Sequence, residues 1–109
     1  MTDENARLEK LRAIWPGAEL WSEGGQPAVY LPGIEVKVRG SVVFRDALLW
    51  PQAHGSYSTR LFLSEAVAAG QNWSAVNICG RAWQVCSWNG VPADAPWDEM
   101  IRSHLGAFK

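Results

Sequence analysis

Apolar residues near the start of the chain recur at three- and four-residue steps. Leu8, Leu11, Ile14 and Trp15 are separated by Arg7, Glu9, Lys10 and Arg12. This spacing predicts an amphipathic helix over Asp3–Trp15 that lies on a sheet. Thr2 or Asp3 would cap its start, and Pro16-Gly17 would stop it. Beyond Ala18 the period falls to two. Ala18–Ser22 and Ala28–Leu31 flank Glu23-Gly24-Gly25-Gln26, a hairpin loop. Pro32-Gly33 predicts a turn. Ile34, Val36 and Val38 alternate with Glu35, Lys37 and Arg39 as a half-buried strand. Gly40-Ser41 turns the chain into the apolar run Val42–Leu49.

A loop rich in Gly, Ser and Pro then surrounds His54 between Pro51 and Ser58. Thr59–Glu65 predicts another strand and Ala66–Ala69 a short helical turn, with Gly70-Gln71-Asn72 ending the segment. Trp73–Cys79 and Ala82–Trp88 are the last strand-like runs. Gly80 at the first central position suits a two-residue type II′ turn. That register places Cys79 opposite Ala82 and Cys86 opposite Ala75, so the sulfurs do not face each other. Asp94 and Pro96 open a final helix over Ala95–Leu105, with Trp97, Ile101 and Leu105 on one stripe. The order is helix, antiparallel meander, helix, an α+β domain.

Composition narrows the function classes. The 109 residues fit one domain over 1–109. Ten Lys+Arg against eleven Asp+Glu give a net charge of −1, which argues against a basic grip on nucleic acid. No apolar run reaches the ~20 residues of a membrane span. Met1-Thr2-Asp3-Glu4-Asn5 is acidic and polar, unlike a signal peptide. The expected setting is the cytoplasm, with both cysteines as reduced thiols.

Seven tryptophans in so short a chain are too many to hide completely. Trp15 and Trp97, on the helix stripes, are expected in the core. Trp21 and Trp83 lie in strands that allow either face. Trp73 and Trp88 flank the segment holding Cys79, and Trp50 opens the loop holding His54. Trp50, Trp73 and Trp88 are therefore candidate binding residues.

Cys79 is the candidate reactive thiol. It stands at a strand end beside Gly80, and a neighbouring Arg81 would favour the thiolate. Cys86, mid-strand among large rings, reads as packing. A Cys-His hydrolase would need His54 as base, oriented by Asp46 or Asn72, and no spacing supports one. His104 falls near the C-terminal end of the last helix, where a cation is favoured. The spacing Cys-x6-Cys is not that of a zinc site, so no metal is expected. No phosphate-cradling loop is present and no cofactor is expected.

Asn77-Ile78-Cys79, Trp88, Pro92 and the run Trp97–Leu105 resemble the active-site segment of ubiquitin-conjugating enzymes. The wider element order looks like the compact prokaryotic members found with ubiquitin-like modifiers and ThiF-type activating enzymes. Some of those systems act in antiphage defence. The resemblance implies that Cys79 accepts a modifier as a thioester and passes it to a target amine. Its partners would be the modifier, the activating enzyme and the target protein, with no nucleic acid and no membrane. The family's His-Pro-Asn is absent here. Asn72 is the candidate oxyanion-stabilising amide, with Asn77 second, and Arg81 a candidate binding residue. The departures also fit a non-catalytic, Trp-rich protein-binding variant.

Overall fold

A computed structural model describes residues 3–109, with Asp3 by its backbone alone. Helix α1 (Asp3–Arg12) precedes strands β1 (Glu19–Glu23), β2 (Gln26–Val38) and β3 (Ser41–Trp50). Strands β4 (Arg60–Leu63), β5 (Ser74–Ile78) and β6 (Arg81–Val85) follow, then α2 (Trp97–Leu105) and a 3-10 turn over Gly106–Phe108. All strand pairs are antiparallel. The fold is α+β, as the switch of hydrophobic period predicts. The sheet order is β1-β2-β3-β4-β6-β5, so the last hairpin enters reversed and the sheet is not the simple meander expected.

Alternation along the strands builds two apolar layers. Val29, Leu31, Ile34, Val36, Ala47, Leu49, Leu61 and Leu63 face the helices, where Leu8 and Leu11 of α1 meet Trp97, Met100 and Ile101 of α2. Ala28, Leu48, Trp50, Phe62, Ile78, Trp83 and Val85 form a second cluster on the opposite face. Tyr30 and Trp21 pack against this cluster and stack on each other with ring centroids 4.3 Å apart.

Pro32-Gly33 is a bulge within β2, not a turn. Leu31 pairs with Ala47 and Ile34 with Arg45, so three steps on β2 match two on β3. The extra residue keeps Leu31 and Ile34 on the same face despite their odd spacing. Gly33 takes φ 55° there, and its N–H donates to Asp46 Oδ1 at 2.8 Å. Gly17 is fixed by close approach, because a Cβ on it would lie 2.8 Å from Pro32 Cγ.

Three hairpins close through two-residue turns, Gly24-Gly25, Arg39-Gly40 and Cys79-Gly80. Both central residues of each have positive φ, the signature of type I′. The expected type II′ turn at Gly80-Arg81 and the turn at Gly40-Ser41 are thus each displaced by one residue. The right-handed strand twist favours I′, and it places Gly second.

The helices are shorter than predicted. Helix α1 ends at Arg12, Trp15 is half-buried and Ile14 is exposed. The cap expected from Thr2 or Asp3 lies outside the described residues and side chains. Helix α2 starts at Trp97 behind Pro96, and no side chain caps it, Asp94 included. Ala66–Ala69 forms no helical turn. Instead, Arg45 binds the carbonyls of Glu65 and Ala66, holding this stretch as a loop.

Candidate functional site: the Cys79 hairpin tip

The two edge hairpins meet at Cys79. Its N–H donates to Glu23 Oε1 at 3.3 Å, and its thiol donates to the Ser22 carbonyl at 3.4 Å. The tip of β1–β2 is thereby tied to the tip of β5–β6. Cys79 is a turn residue, not a strand end, and it holds φ 53°, a conformation few side chains other than Asn and Asp adopt readily. It is half-buried. Burial, and after it the Glu23 carboxylate, hold the thiol above its ordinary pKa. Both effects disfavour the thiolate.

Arg81 does not offset them, contrary to expectation. Its guanidinium donates to Asp46 Oδ2 at 2.8 Å and lies over the rings of Trp83 and Tyr30, 4.7 and 5.5 Å from their centroids. The Arg81 hydrogen bond, then the Gly33 N–H, hold the Asp46 carboxyl below the usual range. Arg81 thus latches β6 to β3 across the second cluster. The run Val42–Leu49 carried the signal for this latch: Arg45 and Asp46 interrupt an otherwise apolar strand, and the acid needs a partner there.

Asn72 cannot serve Cys79. Strand β5 lies between them, and seven residues at the rise of a strand separate their backbones by about 20 Å. Asn77 is exposed, on the face of β5 opposite Ile78. Trp73 and Trp88 do not flank the thiol either. Trp73 stacks on Phe108 at 5.8 Å and donates to the Ala69 carbonyl. Trp88, 40% exposed, donates to the Ser103 carbonyl of α2. Trp50 is buried in the second cluster and donates to the Ala53 carbonyl, so it offers no surface.

The imidazoles lie elsewhere. His54 packs edge-on against Phe62 and Trp50, and its Nδ1 is 3.5 Å from the Arg60 guanidinium. Burial first, then Arg60, lower its pKa. Asp46 does not orient it, being held by Arg81 and Gly33. His104 is not a surface residue at a helix end: it is buried on Thr59. Cys86 is buried in the helix-side layer, as expected, but just beyond the end of β6 rather than mid-strand, while Cys79 packs on the other face, and both thiols are free. No cluster of three or more His, Cys, Asp or Glu suited to a metal occurs among the described residues.

Among the described residues, no imidazole, cation or side-chain amide is directed at this half-accessible thiol. Iodoacetamide should label Cys79 before Cys86 in the native protein, yet more slowly than an unstructured cysteine peptide at neutral pH. Peptide mapping by mass spectrometry checks both orders. Labelling of Cys79 as fast as the peptide would show that the thiol is not held back by burial and Glu23.

The chain matches no family model, curated protein or solved structure.

Proposed function

We propose that the domain is a non-catalytic protein-binding module with a conjugating-enzyme-like order of helix, sheet and helix. The surroundings of Cys79 carry this reading. The thiol is tied to Ser22 and faces Glu23, and among the described residues no side-chain amide or cation is bonded to it. Acyl transfer needs a thiolate and a donor for the developing oxyanion. The surface supports a binding role, because Phe44 and Val42 on one face of β3 are 63% and 49% exposed. Trp88 adds an indole pinned by its N–H, and exposed large apolar side chains of this kind mark contact surfaces.

A second reading, thioester transfer through Cys79, is favoured by the half-exposure of that thiol alone. Incubation with a ubiquitin-like modifier, a ThiF-type activating enzyme and ATP separates the two on a non-reducing gel. The module reading expects no thiol-sensitive adduct. An adduct absent from Cys79→Ser and present in Cys86→Ser would overturn it in favour of the conjugating enzyme. Cys79→Asn should keep the fold, since Asn-Gly is a preferred pair for a type I′ turn.

A further inference from the structure

Strand β1 pairs with β2 only over Gln26–Tyr30. The second half of β2, Ile34–Val38, pairs with β3 alone. In an antiparallel pair closed by a two-residue turn, the main-chain groups of Val36 and Val38 face β3, and those of Glu35 and Lys37 face outward. Arg39, next in this outward series, donates its N–H to the Phe108 carbonyl at 3.2 Å. Among the described residues, nothing bonds to the main chain of Glu35 or Lys37. Natural sheets rarely leave such an edge open without a use or a guard.

A cleft of about 330 Å³ runs beside this edge, lined by Trp15, Leu105, Glu35, Lys37, Arg102 and Lys109. The Arg39–Phe108 hydrogen bond brings Arg39 next to Lys109, and both line an adjoining cleft of about 290 Å³ with Gln71, Ser87 and Trp88. Four cations, Lys37, Arg39, Arg102 and Lys109, thus collect here against Glu35, in a chain of net charge −1. Among the described residues, only Arg102 of these four has an acidic partner, Asp98 at 3.1 Å. Trp15 and Leu105 give the cleft an apolar wall.

We propose that the open edge of β2 at Glu35–Lys37 takes an extended acidic peptide with alternating apolar side chains as an added strand. Its main chain pairs with Glu35 and Lys37. Side chains on one face of the peptide settle against Trp15 and Leu105, and its carboxylates meet Lys37, Arg39 and Lys109. Strand addition of this kind draws affinity from main-chain hydrogen bonds and specificity from alternate side chains. Two narrow clefts joined at Lys109 suit a chain better than a compact ligand. The inference rests on the binding-module reading and names the partner.

The test uses a fluorescein-labelled peptide alternating glutamate with leucine, followed by fluorescence anisotropy. Saturable binding is expected, and hydrogen exchange at the amides of Glu35 and Lys37 should slow in the complex. Arg39→Glu with Lys109→Glu should weaken binding about tenfold, the scale of a few exposed charge pairs. Lys10→Glu, on α1, should leave it unchanged. Glu35→Pro is the decisive variant. It adds net positive charge but removes an outward N–H that β3 does not use, so binding should fall, whereas plain electrostatic attraction would raise it. Glu35→Gln controls for the charge, and if the proline variant misfolds, the exchange measurement on the native protein decides.

Several results would overturn the proposal: equal binding of polyglutamate, of a lysine–leucine peptide or of a single-stranded oligonucleotide, unprotected Glu35 and Lys37 amides, or edge-to-edge dimers of the protein on sedimentation. Each is distinguishable from a Cys79 adduct, which would instead remove the module reading.

Discussion

Replacing Trp83 by alanine should lower the unfolding free energy by about 3–5 kcal/mol, the cost of truncating a fully buried aromatic. Trp83 has no solvent exposure and sits at the centre of the second cluster. Its indole N–H donates to the Ile78 carbonyl at 3.3 Å, its ring meets Tyr30 edge-on, and its face carries Arg81. The substitution therefore leaves a cavity, an Ile78 carbonyl without its indole donor and an Arg81 latch with one of its two aromatic plates gone. Domains of this size have about 5–15 kcal/mol in all, so the variant stands near the edge of folding. Trp88→Ala should cost about 1 kcal/mol or less, because its ring is 40% exposed and a half-solvated side chain loses little on truncation. Urea unfolding of both variants checks the order. A loss below that of Trp88→Ala would mean that the second cluster adds little to stability.

The same ring shows where the sequence stops being informative. Two-residue alternation placed Trp83 in a strand but left its face undecided, because each face of β6 mixes polar and apolar residues: Arg81 shares the face of Trp83 and Val85, and Ala82 shares the other with Gln84. The helices, most strands and the α+β class followed from periodicity, since Leu8, Leu11, Trp97 and Ile101 occur at helical spacing and Ile34, Val36 and Val38 at strand spacing. Turn registers slipped by one residue at Arg39 and Cys79, because the twist of the flanking strands, not the Gly alone, selects type I′. Pro32-Gly33 reads as a turn in the sequence because local chemistry is the same in a turn and a bulge. Only the odd gap between Leu31 and Ile34 distinguishes them.

The site was the least legible part. The strand-end position beside Gly80 marks Cys79 as the more accessible thiol, and it is half-buried where Cys86 is buried. Its neighbours Ser22 and Glu23 come from a hairpin more than fifty residues away, and no local pattern reports that contact. Arg81 stands two residues from Cys79 in the chain but is directed at Asp46, since the cation gains both a carboxylate and two aromatic faces there. Sequence adjacency was a poor guide to electrostatic adjacency. Asn72 failed for a related reason. Placing an amide seven residues before a thiol gives proximity in an irregular loop, but it separates the two when the intervening chain is a strand.

Stability should fall steeply with acid through one buried imidazole. His104 is 4% exposed. The Thr59 hydroxyl donates to the Val91 carbonyl at 2.9 Å, so its oxygen accepts from His104 Nε2–H at 2.8 Å. That bond keeps a proton on Nε2, and the burial of the ring favours its neutral form. Burial, and after it Arg60, push its pKa down to about 4 from 6.5. The folded-state value lies below the unfolded one, so the unfolded chain binds the proton first. The stabilisation is whole above pH 6.5 and drains away as pH falls toward 4, a loss of about 3 kcal/mol for one proton at one site. His54, whose pKa is also lowered, adds loss of the same sign. Asp46 adds to it only lower down, as its carboxylate protonates and releases Arg81. His104→Gln retains an N–H for Thr59 without a titrating group. It should match the native protein near pH 7 and keep most of its stability at pH 4.5, where the native protein has lost much of its own. Chemical unfolding across that interval measures the slope. If the native protein and His104→Gln fall in parallel, the imidazole titrates as an exposed one would, and the acid sensitivity must come from the carboxylates.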